Sequence, residues 1–160
     1  AAGRSALLAW PAAAVAAALV AGGALACPNY DARPAFGTIQ LQAGFLPDPY
    51  RRNITAGGGY DLARCFDVDG WGGSVASAPD FRLVWSGSSA QLTLAVEAVK
   101  DTVLLVNDPN GQWFFQDDVY GVNPVITFSN PIPGQYDVWI GAYDGTSRNP
   151  GQLVITEMAY

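Results

Sequence analysis

The sequence predicts an all-β fold, an antiparallel β-sandwich of jelly-roll-like type, preceded by an N-terminal hydrophobic signal or anchor helix. Three observations carry this reading. Beyond residue 30 the apolar residues recur with a period of two, the signature of strands buried on one face. Those runs are punctuated by 18 Gly and 11 Pro in 160 residues, many of them in recognisable turn dipeptides. Charged residues make up only 14% of the chain, a composition that argues against disorder, a coiled coil or a charge-laced helical bundle.

Taken in order, the chain opens with a stretch, residues 5–30, that carries no charge, and Arg4 precedes its apolar run. Ala24 and Ala26 give the A-x-A spacing of small residues that signal peptidase accommodates, so residues 1–26 read as a signal peptide and residues 27–160 as the β-sandwich domain. Two other readings stay open. The run is about 20 residues long, enough to cross a bilayer as an uncleaved membrane anchor. Cys27 behind Leu25 and Ala26 also approximates a lipoprotein box, with Ala24 in place of the usual Leu. All three put residues 27–160 in the periplasm or outside the cell. Cys27 and Cys65 are the two cysteines of the chain, and in an oxidising space they are expected to pair and tie the mature N-terminus to the body. Lipidation of Cys27 would forbid that bridge.

Residues 38–43 and 81–85 alternate as strands, and residues 91–99 do so most clearly, with Leu92, Leu94, Val96 and Ala98 on one face. Residues 103–106 are continuously apolar, as expected of a strand covered on both faces. Asp108-Pro109-Asn110-Gly111 places a turn residue at each position: Asp first, Pro with its preset φ second, Asn third and Gly last. It predicts a hairpin pairing residues 103–107 with 112–116. Residues 124–128, 136–143 and 153–157 alternate again, separated by breaks at 130–134 and 144–151. No segment after residue 30 carries a helical stripe. Eight or nine strands at this spacing imply two packed antiparallel sheets.

Chemistry is constrained mainly by what is missing. The 8 basic against 14 acidic residues leave a net charge of −6, so no cationic surface awaits a phosphate backbone, and a nucleic-acid partner is not expected. Membrane contact would come only through an uncleaved residue 1–26 segment. There is no His, which removes Ser-His-Asp and Cys-His catalysis together with the commonest transition-metal ligand. Lys100 has no Ser in a nucleophile setting, and Asp101-Thr102 lacks the Gly of an aspartic-protease motif. A non-enzyme is expected. The alternative is a small carboxylate-based hydrolase, in which Asp117 or Asp118 acts by spatial pairing that a sequence does not display.

The densest polar patch is Asn107, Asp108 and Asn110 at the expected hairpin tip, followed by Asp117 and Asp118. Hard oxygen ligands of this kind suit Ca²⁺, and these five are the candidate metal ligands. The competing reading gives Asp108 and Asn110 to the turn alone and Asp117 and Asp118 to the next loop. Trp113, Trp139 and Tyr143 are the candidate ligand-binding aromatics, because aromatic faces beside Asp and Asn hold sugars. Core packing is the competing role for them.

Residues 101–113, then Asp117-Asp118, then residues 134–141 resemble the bacterial pre-peptidase C-terminal domain and related exported β-sandwich proteins. Residues 78–83 and Cys65 are similar to exported bacterial proteins, some of them labelled serine peptidases, although here no catalytic base is present. The resemblance implies a jelly-roll-like sandwich accessory to secreted enzymes, in some cases binding calcium or a polymeric substrate. The expected function is therefore an exported, non-catalytic binding or structural module with a protein or polysaccharide partner. A periplasmic accessory subunit anchored by an uncleaved N-terminal helix is the alternative.

Overall fold

The computed structural model describes residues 27–145 and 148–160. The expected signal or anchor segment, residues 1–26, lies outside the described residues. The elements are β1 (Thr38–Gln42), β2 (Tyr50–Ala56), β3 (Tyr60–Asp61), α1 (Leu62–Cys65), β4 (Ser74–Val75), β5 (Phe81–Ser86), β6 (Gln91–Ala98), β7 (Thr102–Asn107), β8 (Trp113–Gln116), β9 (Val125–Ser129), β10 (Gly134–Ala142) and β11 (Asn149–Thr156). They form two sheets. In the first, β10 lies between β5 and β7, β1 flanks β5, β8 flanks β7, and the short β4 and β3 continue beside the end of β10. The second runs β2-β11-β6-β9.

The ladders are antiparallel except one. β1 runs parallel to β5, with Thr38 opposite Arg82 and Gln42 opposite Ser86. This corrects the expectation of wholly antiparallel sheets. Between β1 and β5 the chain visits the second sheet through β2 and returns by way of β3, α1 and β4. A parallel pair needs such a long crossover, and local turn signals do not report it. The hairpin of β7 and β8 forms in the expected place, pairing Leu104 with Gln116 and Asn107 with Trp113.

Alternation explains the main core. Ile39, Phe81, Leu83, Trp85, Leu104, Val106, Tyr136, Val138 and Ile140 from the first sheet meet Ile54, Leu92, Leu94, Val96, Leu153 and Ile155 from the second. Each such side chain contributes about 1.5–3 kcal/mol on full burial. β7 is buried along its whole length, as its unbroken apolar run predicts. Its other face belongs to a second cluster on the outside of the first sheet, where Val103, Leu105 and Trp139 pack against Leu62 and Val75.

That outer cover is built from residues 27–36 and the segment from β3 to β4. Asp61 caps α1 by accepting from the Ala63 N–H, which aims Leu62 into the outer cluster. Cys65, at the end of the same turn, bonds to Cys27 across a separation of 38 residues. The strap then hydrogen-bonds along the sheet: Asn29 N donates to Ser77 O at 2.9 Å, and Phe36 N to Asp80 O at 2.8 Å. Arg82 fastens it from beneath. Its Nε donates to Asp137 Oδ1 at 2.8 Å, and its Nη2 to the carbonyls of Tyr30 at 2.7 Å and Ala32 at 3.2 Å.

Opening the bridge should free the strap in the unfolded chain and weaken its hold in the folded one. Cys65→Ser is expected to lower unfolding free energy by about 2–4 kcal/mol, read as a fall in urea midpoint, with m rising somewhat as the denatured chain expands. A midpoint equal to wild type would show that the bridge holds nothing.

Candidate functional site

The hairpin carries the polar residues singled out in the sequence, and its geometry divides them. At the tip, Asp108 Oδ1 accepts from the N–H groups of Asn110 and Gln112, both at 2.9 Å, while Gly111 takes φ 76°. One carboxylate oxygen thus organises the whole turn. Asp117 and Asp118 leave β8 at the other end of the hairpin. The register of β7 and β8 brings them back toward Asp101, and one carboxylate oxygen from each of the three lies within 4.8 Å of the others. The five expected metal ligands therefore do not converge. Asn107, Asp108 and Asn110 stay at the tip, Asp117 and Asp118 sit at the base, and Asp101 joins the latter pair. That partner was legible in principle, since extending the hairpin pairing from the turn places Asp117 beside the start of β7.

The basal cluster is electrostatically uneasy. Burial, followed by the charges of Asp118 and Asp101, pushes the Asp117 carboxyl up to about 6. Burial and the charge of Asp118 also raise Asp101. Asp101 Oδ1 and Asp117 Oδ1 are buried without a donor, and none of the three carboxylates forms an ion pair among the described residues. The set fits a hard dication: three carboxylates at coordination-sphere separation supply charge and oxygens, and water completes six to eight ligands.

The aromatic candidates separate too. Trp139 is fully buried and donates from Nε1 to Ser77 O at 3.1 Å, so it is floor rather than exposed platform. This corrects the expectation that Trp139 is a ligand-binding aromatic, and its competing role, core packing, is the one the fold gives it. Alternation did place Trp139 on the face opposite Val138 and Ile140, but the strap and the segment around α1 cover that face. Trp113 is half-buried and its ring packs 5.3 Å from Trp139, 5.1 Å from Phe66 and 6.2 Å from Tyr30. Tyr143 is exposed beyond the far end of β10, where its N–H donates to Asp101 O, remote from Trp113.

Asp108 borders two hollows. One, of about 330 Å³, is lined by Phe114, Phe128, Ile132 and Tyr136 with Asn110 at its edge. The other, of about 560 Å³, lies between the turn, Tyr30 and Asp31 of the strap, and the start of β10 at Gln135 and Asp137. Tyr30 and Asp31 carried no motif that would have drawn notice, and Gln135 entered only as part of the resembling run 134–141. A third hollow of about 440 Å³ is bordered by Glu97, Val99 and Asn123. The Arg51 guanidinium and the Tyr160 hydroxyl hold the Glu97 carboxyl below the usual range.

Asp80 is the most buried acid of unusual proton affinity. Its Oδ2 accepts from Ile140 N at 2.6 Å, extending the β5–β10 ladder by a side chain, and burial pushes its carboxyl up to about 7. Neither Asp80 nor Asp117 lines any of the three hollows.

No protein-family model matches the sequence, and no curated protein matches it. Among solved structures the chain is similar to the pre-peptidase C-terminal domain of a collagenase from Bacillus anthracis, with a TM-score of 0.47 and 13% identity over 78% of this chain and 99% of that one. It is also similar to PliG of Aeromonas hydrophila, a periplasmic inhibitor of g-type lysozyme, with a TM-score of 0.40 and 11% identity over 75% of this chain and 96% of that one.

Two outcomes check these assignments. Trp139→Ala should cost about 3–5 kcal/mol in urea unfolding, as for a large core aromatic, while Tyr143→Ala stays within about 0.5 kcal/mol. Asp80 has a folded-state proton affinity above its unfolded value, so the native state binds more protons between about pH 4 and pH 7, and the stability this group allows falls as pH rises through that window. Wild-type Tm should therefore decline from pH 5 to pH 8, with Asp80→Asn flattening the decline by a few degrees; an unchanged slope would contradict the assignment.

Proposed function

We propose that the chain is an exported, non-catalytic binding module whose sandwich is clamped by calcium at the Asp101–Asp117–Asp118 corner. The observation that carries the non-catalytic reading is that no carboxyl group of raised proton affinity lines any of the three hollows. General acid–base chemistry needs a carboxyl group of raised proton affinity facing a substrate space. Here the two carboxyls pushed highest, Asp80 and Asp117, are respectively a rung of the ladder and a member of the basal cluster, and neither lines any of the three hollows. The Cys27–Cys65 bond supports export, because such bridges persist in oxidising compartments.

Calcium supports the fold in this reading. A dication at the corner would quiet the repulsion among three carboxylates and pin the base of the hairpin to Asp101, whose carbonyl already accepts from Asn149 Nδ2 at 3.0 Å. Extracellular modules hold calcium with Kd of about 10⁻⁴–10⁻³ M, so 10 mM calcium should add roughly 1.4–2.7 kcal/mol. Tm measured in calcium should exceed that in EDTA by several degrees, and Asp117→Asn should abolish the difference. No difference in the wild type, or the same difference in the variant, would overturn the calcium clamp.

A further inference from the structure

We propose that the hollow between the Asp108 turn and residues 30–31 is a binding site for a short neutral saccharide. This deepens the reading of the chain as a non-catalytic binding module and rests on it. The space of about 560 Å³ suits a ligand of a few rings, within the range of about 300–1,000 Å³ typical of such sites. A lone ion does not fit, because the carboxylates that meet at coordination distance are at the other end of the hairpin.

The donors and acceptors specify the ligand class. Asn107 is 4% exposed, lines the hollow, and has a buried Nδ2 with no hydrogen-bond partner. A buried donor left unpaired is costly, and a modest turn of the Asn107 side chain toward the hollow it lines would bring that donor to an acceptor on a ligand. Three carboxylates border the same space, yet they do not call for a cation. Asp137 is engaged by Arg82 at 2.8 Å on one oxygen and by Gln135 Nε2 at 2.7 Å on the other. Asp108 already serves the turn through Oδ1, leaving Asp31 as the exposed carboxylate of the strap. What remains is a mixture of an amide donor and carboxylate acceptors, which neighbouring uncharged hydroxyl groups satisfy because each hydroxyl both donates and accepts.

Tyr30 supplies the remaining element. The residue is 46% exposed and its ring is backed by Trp113 at 6.2 Å, so it offers an apolar face of the kind against which the C–H face of a sugar ring packs. The site is pre-formed by close approach: a Cβ on Gly134, whose φ is 136°, would lie 2.8 Å from Pro109 Cβ, so only Gly lets β10 begin this near the turn. The Tyr30 wall hangs three residues from Cys27 and from the Arg82 clamp on its own carbonyl.

The test uses the oxidised full chain with maltotriose, cellotriose and chitotriose as probes and argininamide as the cationic competitor, followed by saturation-transfer NMR and calorimetry. At least one trisaccharide should bind with millimolar or better affinity. Tyr30→Ala and Gln135→Ala, both at exposed positions, should each weaken it about tenfold, and Asn107→Ala should abolish it. The calcium-dependent rise in Tm should persist in Tyr30→Ala. Absence of binding by all three sugars, binding indifferent to Tyr30→Ala and Gln135→Ala, or displacement by equimolar argininamide would overturn the proposal. A calcium response without sugar binding would remove this inference alone, whereas loss of both would remove the calcium clamp as well.

Discussion

The structure depends on one constraint: the central strands of its first sheet are apolar on both faces. Val103, Leu105 and Trp139 point away from the sandwich interior and are nonetheless fully buried. Leaving three such side chains in water would forfeit roughly 5–9 kcal/mol, a sum comparable with the whole stability of a domain at about 5–15 kcal/mol. A two-layer sandwich covers only the inner face. The chain therefore builds a third, partial layer from the strap and the segment around α1, and the Cys27–Cys65 bond joins the two halves of that layer.

Cover of this kind brings polar groups with it, and their placement follows. Arg82 sits on a strand of the first sheet but spends its guanidinium on the strap, with Asp137 as the buried partner that fixes its direction. The salt bridge is not primarily a source of stability, since desolvating both ions offsets much of their attraction. Removing one partner would still strand the other and cost about 3–5 kcal/mol. The same anchoring holds Tyr30 and Asp31 beside the hairpin tip, which turns a surface turn into the wall of a cavity. At the opposite end of the hairpin, the return of β8 past β7 gathers Asp117 with Asp101. One supersecondary element thus presents two polar ends of different character, one with dispersed hydrogen-bonding groups and one with focused negative charge.

Much of this was readable from local pattern. Alternation gave β1, β5, β6, β9, β10 and β11 but not β2, β3 or β4, the unbroken run at Val103 to Val106 announced double burial, and the Asp108 turn with its hairpin register emerged from four residues. The disulfide followed from two cysteines and the expectation of an oxidising space. What escaped was non-local. Parallel pairing of β1 with β5 is invisible to turn chemistry, because it depends on a crossover through the other sheet. The fate of Trp139 turned on whether anything covered its face, and the covering segment has no periodic signal of its own. The candidate ligands were grouped by nearness in sequence, and the hairpin pulled apart what sequence had joined: Asp108 and Asp117 ended at opposite ends of the hairpin while Asp101, sixteen residues before Asp117, became its neighbour.

The Cys27–Cys65 bond thus holds the strap and the α1 segment closed over the outer face of the first sheet. Hydrogen exchange on the oxidised and reduced protein, resolved by peptide, tests it most directly. Reduction should speed exchange sharply at residues 27–36 and 61–66, and measurably at Leu105 and Trp139, while β6 and β11 in the opposite sheet keep their protection. Equal exchange across all of these segments before and after reduction would contradict it, as would simultaneous loss of protection in both sheets.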